Sequence, residues 1–195
     1  MITLEEVMKL LADRRHKRLN DLQLLYGDLA LKDYAALKHH LDEEVRVLRE
    51  EQKLYRLGDD DLTYALLVHS AAPLSYRLNW KVDDDTALPP AWSHTMRQAF
   101  IAFLDDLDRA MPRAASDEGQ NVIDVHFLSA GDRFAIYVHV RIDQSAVMMN
   151  VWELFEHVGL RHERSLRAVG FNVQAEQTRD TLLWKLELDT GATYA

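Results

Sequence analysis

The segment NVIDVHFLSAGDRFAIYVHVRI, residues 121 to 142, decides the fold. Its side chains alternate apolar and polar on either side of SAGD, the pattern of two antiparallel strands joined by a tight turn. Pairing Leu128 with Arg133 places Ile123, Val125, Phe127, Phe134, Ile136, Val138, Val140 and Ile142 on one face, which reads as core. The opposite face then carries Asp124, His126, Arg133, Tyr137, His139 and Arg141, because the two-residue period fixes both faces together. In this register Tyr137 lies across from Asp124.

Outward from this hairpin the period alternates between two and about 3.6. Upstream, LTYALLVH and LSYRLNWKV flank SAAP and predict another strand pair, in which Arg77, Asn79 and Lys81 share the polar side. WSHTMRQAFIAFLDDLDRAM follows as a helix capped at Ser93 and stopped near Pro112. Downstream, a helix begins near Asn150 and ends at Gly170, and FNVQAEQ with TLLWKLEL forms a last strand pair around Thr178 to Asp180. The strand segments at Leu78–Asp83 and Val138–Asp143 share an apolar, polar, apolar, basic, apolar, Asp pattern, consistent with equivalent places in one sheet.

Residues 3 to 57 read as two helices. Thr3 with Glu6 fits a capping box, and Leu4, Met8, Leu11, Leu22 and Leu25 make one apolar face. Gly27 and Asp28 interrupt it, and Tyr34, Leu37, Leu41, Val45, Leu48 and Tyr55 form a second stripe. Two stripes of similar length predict an antiparallel helical hairpin whose apolar faces suit a partner or a second copy. A competing parse makes residues 29 to 69 a winged helix with KLYRLGDDDLTYALL as its wing. The expected architecture is α+β, with a helical hairpin (1–58) followed by a two-layer ββα-ββα-ββ antiparallel sheet domain (59–195) whose helices lie on one face.

Composition narrows the function. The 195 residues include no cysteine, which removes disulfide scaffolds, thiol catalysis and thiolate metal sites. The formal charge of −9 disfavours nucleic acid as a partner for the whole body. An acidic, amphipathic start and no long apolar run point to the cytoplasm, without a membrane span. Glycine-rich phosphate loops and the GxSxG elbow are missing, so no cofactor is expected. Glu153 and His157 share a helix face but His162 falls off it, and His39 and His40 splay apart, so no metal is expected either. The Asp runs 59–61 and 83–85 lack a calcium-loop register and read as acidic turns. Arg14, Arg15, His16, Lys17 and Arg18 wrap the helix axis, with Arg15 and Arg18 able to meet Glu43, Glu44, Glu50 or Glu51 across the hairpin.

What remains is the polar sheet face, locally cationic within an acidic chain. Arg77, Lys81, His126, Tyr137, His139 and Arg141 are its candidate binding residues. The expected function is a non-catalytic interaction module, an adaptor, chaperone-like or inhibitory partner that binds another protein or itself through residues 3 to 57. The rivals are a nucleic-acid-associated subunit using the cationic face or the winged helix, and a small enzyme in which Asp124 orients His126 near Tyr137.

Overall fold

The computed structural model describes residues 4–71, 76–111, 121–142, 151–178 and 181–189. Helix α1 (Leu4–Leu31) runs unbroken through Gly27 and ends at Lys32, whose φ of 56° is left-handed. The predicted break at Gly27 and Asp28 therefore falls too early. Glycine weakens a helix without ending it, and the turn comes where Asp33 caps α2 (Tyr34–Arg56), its carboxylate accepting from the Ala36 amide at 3.0 Å. The Thr3 half of the capping box lies outside the described residues.

The next element corrects the expectation for residues 62 to 69. They form α3 (Asp60–Ala71), not a strand. Leu62, Thr63, Leu66 and Leu67 are all buried, and a run apolar on most sides carries no amphipathic period to separate a helix from a strand. The winged-helix parse fails with it, since the proposed wing is the end of α2 and the start of α3.

One five-stranded mixed sheet follows, with order β1-β2-β3-β5-β4. Strand β1 (Arg77–Val82) is an edge strand parallel to β2 (Val122–Ala130), with α4 (His94–Ala110) between them in sequence. Strands β2 and β3 (Arg133–Arg141) are antiparallel, as are β3 with β5 (Thr181–Asp189) and β4 (Asn172–Gln177) with β5. Helix α5 (Val151–Ala168) precedes β4 and ends before Gly170, at φ 107°. The α+β reading holds, with β1 joining β2 in place of a local hairpin.

The β2–β3 turn is tighter than SAGD implied. Ala130 pairs with Arg133 around Gly131 and Asp132, and Gly131 takes φ 59°. That is the positive first position of a two-residue II′ turn. The register moves by two, so Leu128 faces Ala135, yet both faces keep their residues because the shift is even. Every predicted inner residue of this hairpin is buried.

Helices α4 and α5 cover that inner face. Phe100, Phe103 and Leu107 from α4 and Phe155 and Leu166 from α5 are almost fully buried. Phe103 meets Trp184 edge-on at 5.2 Å between centroids, and Phe100 meets Phe127 at 6.2 Å. Burial of each large side chain is worth about 1.5–3 kcal/mol. Leu54 and Leu57 join the same cluster, so the end of α2 is anchored in the core of the sheet. The helical hairpin thus meets the β1 edge and leaves the polar face of the sheet uncovered by described elements.

Candidate functional site

The pairing register arranges the polar sheet face in rows. Lys81, His126, Tyr137 and Lys185 form one row, and Asn79, Asp124, His139 and Leu183 the next. Arg77, Val122, Arg141 and Thr181 form a third. All six predicted binding residues therefore share one face. Their partners differ from the expected ones.

Tyr137 lies across from His126, and His139 across from Asp124. The His126 Nε2 sits 2.9 Å from Asp83 Oδ1, in the acidic turn after β1. That contact, followed by Lys81 at 3.4 Å, holds the Asp83 carboxyl below its usual range although slight burial opposes it. Asp124 instead accepts from Arg141 at 2.8 Å and from the Asn79 amide at 2.9 Å. The Asp124–His126 acid/base pair is thus replaced by an Arg141–Asp124 ion pair and a His126–Asp83 hydrogen bond, and the small-enzyme expectation loses its geometry. Lys185 lies 5.8 Å above the Tyr137 ring and 2.7 Å from Glu187, which raises its pKa. Most cations of this face already have anions, which removes the free positive surface that the nucleic-acid expectation needs.

Among the described residues no group of His, Asp or Glu has the arrangement of a metal site. Likewise, no described helix is long and apolar enough to cross a membrane.

A second surface is more exceptional. Of the large apolar side chains that remain exposed, Met8, Leu11, Leu19, Leu22, Leu24, Tyr26, Leu29, Leu31, Tyr34, Leu41, Val45, Leu48 and Tyr55 all belong to α1 and α2. An isolated exposed leucine needs no explanation, but a continuous concentration of them marks an interaction surface. Crossing it on α1 is a different stripe. His16, Asn20, Gln23 and Gly27 follow one another at helical spacing, and the first three are exposed. A methyl group added at Gly27 would meet nothing within 4 Å. Near the turn, His40 Nδ1 ties α2 to Asp28 of α1 at 2.6 Å. The sequence reading treats Arg14 to Arg18 as a wrap of charge and does not single out His16. The 16/20/23/27 spacing is the signal that could have separated it from its neighbours.

No protein-family model matches the chain, and no curated protein matches it. Among solved structures it is similar to the histidine kinase AdeS of Acinetobacter baumannii, with 11% identity and a TM-score of 0.47, over 91% of this chain and 98% of that one. A histidine kinase from Burkholderia phymatum gives 12% identity and a TM-score of 0.44, over 98% and 100% of the two chains. The histidine kinase ThkA, in complex with the response regulator TrrA, gives 11% identity and a TM-score of 0.43, over 96% of this chain and 63% of that one. These values describe a resemblance of architecture. It runs against the expectation of a non-catalytic adaptor, chaperone-like or inhibitory module, which is withdrawn: the similar chains are kinases.

Proposed function

We propose that this chain is a histidine phosphotransfer protein that carries a phosphoryl group on His16. The observation that carries the reading is the stripe of exposed His16, Asn20 and Gln23 continued by Gly27 on a helix otherwise crowded with exposed apolar side chains. Phosphoryl transfer to protein histidine is also the chemistry for which the similar structures are named, but the reading rests on the stripe.

A neutral imidazole is a nucleophile near neutral pH. One ring nitrogen of His16 attacks phosphorus, and an N–P bond forms as the bond from phosphorus to the leaving group breaks. The Asn20 carboxamide, one turn further on, is positioned to donate to a phosphoryl oxygen. An open helix surface does not exclude water, so the donor and acceptor must be partner proteins that supply the walls. Gly27 gives such a partner room for close approach. The exposed apolar residues of α1 and α2 suit pairing with a second copy into a four-helix bundle.

The test is phosphorylation of the purified protein with labelled phosphoramidate, which loses ammonia as His16 gains the phosphoryl group. The label should be acid-labile and alkali-stable, vanish in His16→Gln, and persist in His39→Gln and His40→Gln. Retention of the label by His16→Gln overturns the assignment. Light scattering should give a dimer mass.

A further inference from the structure

On the polar sheet face, Asn79, Asp124, His139 and Leu183 lie in a row between one bearing His126 and Tyr137 and one bearing Arg141. Alternate residues along a strand are roughly 6.6 Å apart. The result is a dish of about 420 Å³, lined by Asn79, Trp80, His126, Tyr137, His139 and Leu183 among others. This is within the range of about 300–1,000 Å³ typical of small-molecule sites.

Three features restrict what can occupy it. The charges around it are already matched: Arg141 is 2.8 Å from Asp124, and His126 is 2.9 Å from Asp83, which Lys81 also approaches at 3.4 Å. An anion or a cation would have to compete with these pairs for its counter-charge. His139 is half-buried, and among the described residues no group hydrogen-bonds its ring. Burial, and then the nearby Arg141, push its pKa down against the weaker opposing pull of Asp124. Burial thus favours the neutral imidazole, in which one nitrogen donates and the other accepts. Finally, the aromatic rings facing it are Tyr137 and His126, with centroids 6.4 Å apart.

We propose that this dish binds a small neutral heteroaromatic molecule, which exchanges a hydrogen bond with His139 and packs its ring against Tyr137. The site lies on the sheet, not on the α1 stripe of His16, and does not depend on phosphotransfer.

The test uses adenine, cytosine and benzimidazole as neutral probes, with benzoate and benzylammonium as charged rings of similar size. Saturation-transfer NMR titrations at pH 7.5 read the binding. At least one neutral probe should bind with a Kd of about 1 mM or below, and both charged rings about tenfold more weakly. His139→Leu, which retains bulk without hydrogen-bonding atoms, should weaken that probe about tenfold, as should Tyr137→Leu, with unchanged thermal melts. His16→Gln should bind as wild type, so loss of phosphotransfer and loss of this site are separable. Absence of neutral-probe binding at about 10 mM, equal binding by His139→Leu, or tighter binding of a charged ring overturns the proposal.

Discussion

Replacing Asp59 with alanine should cost this protein much of its stability. The side chain is 5% exposed and serves three elements at once. It accepts from the Leu62 amide at 3.0 Å, capping α3, and from the Trp92 indole N–H at 2.7 Å. It also accepts two contacts of 3.1 Å from Arg97 of α4. A lost cap costs about 1 kcal/mol, a lost hydrogen bond to a charged group about 1.5–3 kcal/mol, and an orphaned indole N–H about 1–3 kcal/mol. These losses overlap, so the expected total is about 3–5 kcal/mol, the range for breaking a buried ion pair. Asp59→Asn keeps a capping oxygen and an acceptor while losing the charge, and should cost about 1–2 kcal/mol. Urea unfolding at pH 7, followed by tryptophan fluorescence, measures both through the midpoint at constant m. Burial pushes the Asp59 pKa up, but Leu62, Trp92 and Arg97 outweigh it and hold the net value below the ordinary 3.8. The charge therefore contributes fully above that unfolded pKa, and its contribution fades as pH falls through the lower folded value. The gap between wild type and Asp59→Asn should close on acidification below about pH 4. A loss under about 1 kcal/mol in Asp59→Ala, or equal losses in the two variants, refutes this account.

Other substitutions probe separate parts of the argument. Gly159→Ala would place its Cβ 2.9 Å from Trp184 Nε1 and should destabilise by about 1–3 kcal/mol in the same unfolding assay, because α5 has no space there. Gly27→Ala enters open space within α1 and should stabilise by about 0.5–1 kcal/mol, whereas Gly27→Leu should fold normally yet slow phosphoryl exchange with a partner. Lys32→Gly removes a side chain from φ 56° and should raise the melting temperature, with a gain of up to about 1 kcal/mol. Leu22→Asp with Leu29→Asp should convert a dimer to a monomer by light scattering, since both side chains are exposed on α1.

The strands and helices of residues 121–189 were legible because each repeats its period on one buried face. Phe127, Val138, Trp184 and Phe155 all fall where alternation or helical spacing puts them. Cross-strand partners were not legible. Turn length moved the register by two, which keeps faces but exchanges neighbours, so His126 gained Tyr137 and Asp83 where Asp124 was expected. The strand partner of β1 was also hidden, since it is supplied by residues 122–127 beyond α4, and local alternation says nothing about so distant a neighbour. Likewise, His16 lay within a basic run whose charge masked the polar stripe it begins.

The parallel pairing of β1 with β2 has a kinetic consequence. Asn79 and Asp124, which it brings together, are 45 residues apart, while β2 and β3 are joined by a turn at Gly131 and Asp132. A hairpin of the second kind forms in about 1–10 μs, whereas closing the first must await ordering of α4 and costs loop entropy in advance. Helix α2 meets the sheet along β1. Refolding should therefore form the β2–β3 hairpin early and seat the α1–α2 hairpin late, so that the surface bearing His16 takes its place only after the body beneath it is built.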